Sequence, residues 1–544
     1  MKLSYKKRGR LIGLTILVFI STTAYNSDYF EIAKQVEIFS TLFKEINMNY
    51  VDETNPAELM QEGIKYMLRS LDPYTTYLTE QDVESARMNQ SEAYVGIGAT
   101  INLSESKLIV IEVFKGLPAD EVGLKAGDEI TYIDGNKVSD LGVATLQLLK
   151  GKRNSSVLLS LISNGETKEV RIKRAGITPK AVPIAKLMDD GVGYIALDRF
   201  TKTASKEVEN ALKLFMIDEA KGIILDLRNN PGGLLQEAVK IVNLFVPKGQ
   251  LVVSTKSNIE GFNSSFITRK QPLNLDIPLI ILINEKSASA SEIVAGALQD
   301  LDRAVVIGER SFGKGLVQRP RSLPYGGQLK VTISRYYTPS GRCIQALDYK
   351  NRGEDGEAIK YQENDYKAFN TKNGRTVYDG GGVTPDVLLG KREKSKFIQK
   401  LIDSSLVFEF ANNYYHNNNV KDLGDFKLGE KGFNNFKKRS LVHPVFLEDK
   451  SIREINELYD HIKKEGLQGL EGTLKELKKS VNESKTRLIE LHKSEITTAL
   501  EGEIIKRFFY RKGLYTYYLV KSKDVKTAQE LLGNTKSYLS ILNR

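Results

Sequence analysis

Pro278-Leu-Ile-Ile-Leu-Ile283 runs without a charged or polar side chain into Asn284-Glu-Lys-Ser287-Ala-Ser289-Ala-Ser291-Glu-Ile-Val-Ala-Gly-Ala297. A short, wholly apolar run of this kind reads as a strand buried on both faces, as in a parallel sheet. The Ala/Ser stretch after it reads as the opening of a helix over Ala288–Leu298. The same alternation extends outward on both sides. Strands are predicted at Gly193–Leu197, Gly222–Asp226, Leu251–Ser254, Ala304–Gly308 and Gln328–Tyr336, with helices at Ser205–Phe215 and Leu234–Phe245. From Gly191 to about Leu389 the chain therefore reads as an α/β core.

The flanks have other periods. Residues 30–92 read as helical: Ile32, Val36, Phe39, Leu42, Phe43 and Ile46 recur at three-to-four spacing, and a second helix opens at Asn55-Pro56 and runs to Leu71. Between Tyr94 and Lys173 short β-rich runs appear (Leu108–Phe114, Glu129–Ile133, Val157–Ile162, Glu169–Ile172). Asn164-Gly165 gives a hairpin signal, and short helices fit at Pro118–Val122 and Leu141–Leu149. The tail is helical again, with long runs at Ile452–Glu465 and Leu474–Ile496. The expected organisation is a multidomain α+β protein: an N-terminal signal or anchor (1–27), a helical region (28–92), a small β-rich domain (93–175), an α/β core (176–394) and a helical tail (395–544).

The length of 544 residues allows three to five domains, and 41% apolar with 27% charged residues is ordinary for a globular protein. The net charge of +11 suggests a polyanion partner until it is mapped. Residues 1–10 hold +5, the tail 395–544 holds +7, and everything between nets −1. The tail mixes both signs, as in Lys463-Lys464-Glu465, which is the pattern of a solvated helix face and not of a nucleic-acid module. The basic start is followed by an apolar Leu11–Ile20 and by small residues at Ser21-Thr-Thr-Ala24, the layout of a secretory signal cleaved after Ala24. An uncleaved anchor is the other reading, and both send the rest of the chain out of the cytoplasm. Membrane contact is expected only through this segment.

Cys343 is the only cysteine, which rules out an internal disulfide and a cysteine-cluster metal site. The four histidines (His416, His443, His461, His492) all lie in the tail, so a Ser-His-Asp triad or histidine metal site within the core is excluded. No metal or cofactor is expected. A base in the core must come from Lys, Asp, Glu, Tyr or a chain terminus.

Three loops carry candidate chemistry. In the Ala/Ser loop, a serine at a helix N-terminus can attack a carbonyl while a free amide N–H receives the oxyanion. The same loop reads equally as a helix cap, with Ser291 or Ser287 as N-cap. Gly308-Glu-Arg-Ser-Phe-Gly313-Lys314-Gly315 nearly matches a phosphate-binding loop, but Gly315 stands where a hydroxyl should hold magnesium, and a strand follows where that motif requires a helix. Alternatively the flanking glycines crowd Lys314, and burial lowers its pKa enough for the amine to act as a base. Arg228-Asn-Asn-Pro-Gly232-Gly233 either aims backbone amides at an anion or is a plain strand–helix turn. Ser104-Glu-Ser-Lys107 also fits a Ser-x-x-Lys pattern, by chance, in a polar turn.

Together Leu225-Asp-Leu-Arg-Asn-Asn-Pro-Gly-Gly233, Ser287-Ala-Ser-Ala-Ser-Glu-Ile293, Gly313-Lys-Gly-Leu-Val-Gln318, Tyr337-Thr-Pro-Ser-Gly-Arg342 and Gly382-Val-Thr-Pro-Asp386 resemble the C-terminal processing (tail-specific) serine peptidases, in family order. Leu71-Asp-Pro-Tyr-Thr-Thr-Tyr-Leu78 and Tyr94-Val-Gly-Ile-Gly98 extend the likeness to residues 30–390. The resemblance implies an exported serine endopeptidase, periplasmic or anchored in the inner membrane facing the periplasm. It makes Ser289 the nucleophile, Lys314 the base and Gln318 the residue that orients the lysine. Residues four apart in a strand lie about 13 Å apart at the backbone, so Gln318 needs a bend or the full reach of Lys314. The oxyanion donors would be the N–H groups of Gly233 and Ala290. The β-rich domain would be a PDZ module binding protein C-termini, with Tyr94, Val95, Gly96, Ile97 and Gly98 as its carboxylate loop. The rivals are a non-catalytic PDZ scaffold with an inert core and a nucleotide-dependent enzyme. The tail could pack on the core, self-associate or dock an adaptor.

Overall fold

The computed structural model of the chain describes residues 29–80, 82–83, 94–104, 107–142, 145–178, 180–354, 356–390, 395–424, 426–467 and 469–544. The secretory-signal reading of Lys2–Ala24 lies outside them. No helix among the described residues is long and apolar enough to cross a membrane. The chain divides into two compact units, one comprising the residues up to Glu80 with Pro320–Val331, the other Gln81–Arg319 with Thr332–Arg544.

In the first unit, a helix spans 29–49 and a second spans Pro56–Arg69. The second starts where the sequence placed it: Asn55 accepts from the N–H groups of Ala57 (3.1 Å) and Glu58 (3.4 Å), and Pro56 occupies the first turn, where its missing N–H costs nothing. The Asp72 carboxylate then accepts from Tyr74, Thr75 and the Thr75 hydroxyl, which fixes the turn leading into the strand Thr76–Leu78. That strand pairs antiparallel with Gln328–Lys330.

The second unit contains the β-rich domain, whose antiparallel sheet runs in the order Ala99–Ser104, Lys107–Val113, Glu129–Ile133, Ser156–Ser163, Glu166–Lys173. Leu108, Val110, Ile130, Ile133, Val157, Leu159 and Ile172 are buried on its inner face. The Asn164-Gly165 hairpin takes positive φ at both residues (50° and 85°), as a two-residue primed turn requires. Ala99–Ser104 is an edge strand, and Tyr94–Gly96 pairs separately with Ala175–Ile177.

The α/β core holds a six-stranded sheet ordered Ile184–Leu187, Val192–Ala196, Gly222–Asp226, Leu279–Ile283, Val305–Gly308, Val387–Leu388, parallel after the first pair. Every residue of Gly222–Asp226 and Leu279–Ile283 is buried, which explains the apolar runs Ile223–Leu225 and Leu279–Ile283. Ala204–Ile217, Leu235–Asn243 and Ala290–Asp300 cover one face. The other face is covered by the tail. Leu519, Val525, Ala528, Tyr538 and Leu542 pack against Tyr194, Ile224, Ile280, Leu282, Val305 and Ile307. The Tyr538 hydroxyl also donates to the Leu279 carbonyl (3.1 Å) and accepts from its N–H (2.9 Å).

The rest of the tail has its own core around Phe410, Phe433, Phe436, Ile489, Ile496 and Ile504. The expected continuous helix Leu474–Ile496 is in fact two. Glu471–Leu491 ends at His492 (φ −98°, ψ 21°), and a second helix, Lys493–Lys521, begins there and is itself kinked at Tyr510 (φ 58°, ψ −166°). This second helix grips the β-rich domain and the α/β core in turn. Tyr510, at φ 58°, donates its hydroxyl to Asp120 (2.6 Å). Arg511 forks onto Glu112 (2.7 and 2.9 Å) and reaches Asp198 at 3.7 Å, and Tyr515 bonds Asp198.

The motif Tyr337–Arg342 acts structurally. Arg342 is fully buried, and its guanidinium donates to Asp300 (2.8 Å) and Gln299 (2.7 Å) at the far end of the helix Ala290–Asp300. Asp300→Ala, which strands this buried cation, is expected to destabilise the chain by about 3–5 kcal/mol, measured by urea unfolding.

Candidate active site

Three loops leave the sheet at its carboxyl edge, where parallel strands gather functional groups. They follow Gly222–Asp226, Leu279–Ile283 and Val305–Gly308, and they are the three that the sequence singled out.

The first loop is drawn onto the second by Asn230, which is wholly buried. Its side-chain amide donates to the Leu197 carbonyl (2.6 Å) and its Oδ1 accepts from Gly232 (2.9 Å), while its own carbonyl accepts from Ala288 N–H (3.0 Å). Gly232, at φ 102°, then lies so close to the second loop that a Cβ would sit 2.7 Å from the Ala288 carbonyl oxygen, 2.9 Å from Ser289 Cβ and 3.0 Å from Ala290 N. Only glycine satisfies both the φ and the contact.

The three serines of the second loop divide by chemistry. Ser287 and Ser291 are fully buried, and their hydroxyls donate to the carbonyls of Leu227 (2.8 Å) and Asn230 (2.9 Å). Ser289 is the partly exposed one. It is also the N-cap of Ala290–Asp300, in place of Ser287 or Ser291. The cap works through Glu292, three residues on, whose carboxylate accepts from the Ser289 N–H (2.8 Å). Ser289 holds φ 56°, ψ −113°, a conformation that costs a non-glycine residue of order 1–3 kcal/mol and is stored at functional sites. Ala290 begins the helix, so its N–H has no intrahelical acceptor.

Glu292 is the functional residue that the sequence reading quoted without a role; the signal was the Ser-x-x-Glu spacing. It is completely buried. One oxygen accepts from Ser289 N–H and Lys314 N–H (2.9 Å). The other accepts from Gly313 N–H (2.6 Å) and the Ser311 hydroxyl (2.6 Å). Burial pushes its carboxyl up to about 7, against the pull of these donors.

Lys314 is partly buried between two glycines that have no room for side chains. A Cβ on Gly313 (φ 86°) would meet Ala346 Cβ at 2.3 Å, and one on Gly315 would meet Gln345 N at 2.9 Å. The amides of Gly313 and Lys314, which a phosphate would need, are spent on Glu292, and Leu316–Ser322 is a strand. The loop is thus not built as a phosphate cradle. Gln318, on that strand, donates its amide to Thr332 Oγ1 (3.3 Å). Tyr336, buried, places its hydroxyl between the carbonyls of Lys314 and Ser289. Gly233, at φ 146°, is bridged to Phe200. The structure thus gathers Ser289, Ala290 and Gly232 at one point, and ties Lys314 to Ser289 through shared partners. Among the described residues no group of three or more His, Cys, Asp or Glu converges as metal ligands would.

Tyr94, Val95, Gly96, Ile97 and Gly98 lie elsewhere, on the β-rich domain. The Ile97 carbonyl accepts from Ala119 (2.7 Å) and the Gly98 carbonyl from Phe114 (3.0 Å). Gly98 takes φ 81° immediately before the edge strand Ala99–Ser104.

Family models match three stretches of the chain: PDZ domain over residues 95–173, peptidase family S41 over 191–352, and the C-terminal helical domain of probable PDZ-proteases over 397–532. A probable CtpA-like serine protease of Staphylococcus aureus (strain MRSA252) is 37% identical over 313 residues, 57% of this chain and 62% of that protein. Its counterpart in Staphylococcus haemolyticus (strain JCSC1435) is 33% identical over 340 residues, 62% of this chain and 67% of that one. The chain thus spans 62% of the length of the first relative. Among solved structures, the photosystem II D1 C-terminal processing protease is 25% identical with a TM-score of 0.36, covering 65% of this chain and 92% of that one.

The Glu292 carboxyl titrates near 7 when folded, against 4.5 as its ordinary value. Between those values the folded chain keeps a proton that the unfolded chain has lost, so this group makes stability fall as pH rises. Glu292→Gln cannot titrate and turns an N–H2 toward the donors. It is expected to flatten that decline between pH 5 and 8 and to lower stability at pH 5 by about 1–3 kcal/mol, measured by urea unfolding at both pH values.

Proposed function

The chain belongs to peptidase family S41, and from that premise we propose that it is an exported serine endopeptidase working with a Ser289–Lys314 dyad. The observation that carries the reading is the convergence of both backbones on the Glu292 carboxylate. It sets the one partly exposed serine of the loop beside the lysine loop, at a helix N-terminus against which Gly232 is pressed. Neither loop alone distinguishes a nucleophile from a cap, or a base from a turn lysine.

In this reading the Ser289 hydroxyl attacks the scissile carbonyl carbon and its proton passes to the neutral Lys314 amine. The carbonyl oxygen becomes an oxyanion facing the N–H groups of Ala290 and Gly233. As the tetrahedral species collapses, the C–N bond breaks and Lys314 returns the proton to the leaving amine. Water then adds to the acyl-serine, losing its proton to Lys314, and release of the new carboxylate regenerates the hydroxyl. Gln318, on the strand that follows the lysine, is the proposed orienting residue.

The PDZ module supplies substrate selection. The edge strand Ala99–Ser104 can accept an extended peptide as an added strand, with amides of the Tyr94–Gly98 segment, whose Tyr94–Gly96 part is itself a strand paired with Ala175–Ile177, receiving its terminal carboxylate. Substrates are then proteins with accessible, unstructured C-termini. Export is supported by the basic Lys2–Arg10 followed by the apolar Leu11–Ile20.

Ser289→Ala and Lys314→Ala are each expected to reduce cleavage of a protein ending in a disordered apolar C-terminus by at least about 10³-fold, followed by gel and mass spectrometry, while binding of that C-terminal peptide is retained. Full turnover by Ser289→Ala would sink the enzyme reading in favour of an inert scaffold. Wild-type activity is expected to rise with pH as the amine of Lys314 is freed of its proton, and a flat profile down to pH 4 would contradict the mechanism.

A further inference from the structure

Beyond the dyad, we propose that Tyr336 is a positioning residue: its hydroxyl holds the carbonyl ends of both dyad residues, as Glu292 holds their amide ends. The proposal rests on the Ser289–Lys314 reading.

The Tyr336 hydroxyl hydrogen-bonds the Lys314 carbonyl and lies 3.3 Å from the Ser289 carbonyl oxygen. The Glu292 Oε2 oxygen accepts the N–H of both residues. The phenol has one proton, donated chiefly to the nearer Lys314 carbonyl and shared with that of Ser289, so Lys314 is held at both ends of its backbone and Ser289 at its amide end with a weaker contact at its carbonyl.

The consequence for Lys314 follows from its side chain. A lysine side chain carries four rotatable bonds, so its amine can be aimed only from a fixed Cα–Cβ bond. Loop backbone between two glycines does not supply that by itself. The consequence for Ser289 concerns the peptide that follows it. In a trans peptide the C=O of Ser289 and the N–H of Ala290 point in opposite directions. A donor on the carbonyl side therefore helps keep the Ala290 N–H pointed outward, where the oxyanion would form. Donation to the carbonyl also polarises the same amide.

Tyr336 is built for this task. It is 1% exposed, belongs to the main core cluster, pairs with Thr255 in the neighbouring strand and donates its N–H to the Gly315 carbonyl (3.0 Å). Its ring is thus anchored independently of the hydroxyl, and phenylalanine can keep the packing while losing the donor.

The test compares the full-length wild type with Tyr336→Phe, Tyr336→4-aminophenylalanine and Ser289→Ala. It measures peptide cleavage and the rate of Ser289 modification by a small fluorophosphonate, with thermal unfolding as the fold control. Tyr336→Phe is expected to lower kcat and the phosphonylation rate in parallel by about ten-fold, with KM within two-fold. The aminophenylalanine, which retains an N–H donor at the same place, is expected to recover part of both. A folded Tyr336→Phe with both rates within two-fold of wild type overturns the proposal, as does a change confined to KM. Failure of both Tyr336 variants to fold also overturns it, since the residue would then serve stability alone. Turnover by Ser289→Ala defeats the dyad itself, an outcome separate from either.

Discussion

Everything at the candidate site hangs on one buried carboxylate. Glu292 receives four donors: Ser289 N–H on its own loop, and Ser311 Oγ, Gly313 N–H and Lys314 N–H from the neighbouring one. Sequestering a carboxylate costs several kcal/mol unless it is hydrogen-bonded, and amides left without an acceptor cost free energy of their own. The carboxyl and the two loops therefore satisfy one another or none is satisfied. This mutual dependence explains why Gly313 and Gly315 must be glycine. The lysine loop has to come close enough to surrender its amides, and the segment Gln345–Ala346 lies directly behind it. It also separates two readings that the sequence left open. A phosphate loop keeps its amides for a ligand, whereas here the protein itself consumes them.

Much of the scaffold was legible because its signals are local or repeated. Gly222–Asp226 and Glu129–Ile133 have the bounds expected from apolar runs and alternation, and Asn164-Gly165 turns as its residues dictate. The convergence of three loops followed from strand order, since all three leave parallel neighbours at the same edge. What escaped was non-local or conformational. Three serines at even spacing look alike as caps, and the choice of Ser289 depends on a positive φ that composition does not reveal. The break at His492 has no glycine or proline to mark it. Glu292 and Tyr336 stood in plain view within or beside the motifs, but Lys314, the partner they share, lies 22 residues from each in chain order. Spacing alone does not bring such residues together.

The helical tail is likewise not an appendage. Its largest part builds a separate core, but Leu519–Leu542 completes the sandwich of the peptidase sheet. Between these two parts the helix Lys493–Lys521 touches the PDZ module at Arg511 and the sheet domain at Tyr515. Four residues of helix advance about 6 Å, so the two modules are tethered at nearly the same point, just past the kink at Tyr510.

Because residues 519–542 help cover the second face of the sheet and come after every candidate catalytic group in chain order, synthesis runs ahead of assembly. Domains generally fold as the ribosome delivers them, yet this sheet has half its apolar covering missing until the last helices emerge. A growing polypeptide that already contains Ser289 and Lys314 therefore lacks the packed platform that carries their loops. The platform is completed only when both faces of the sheet are covered.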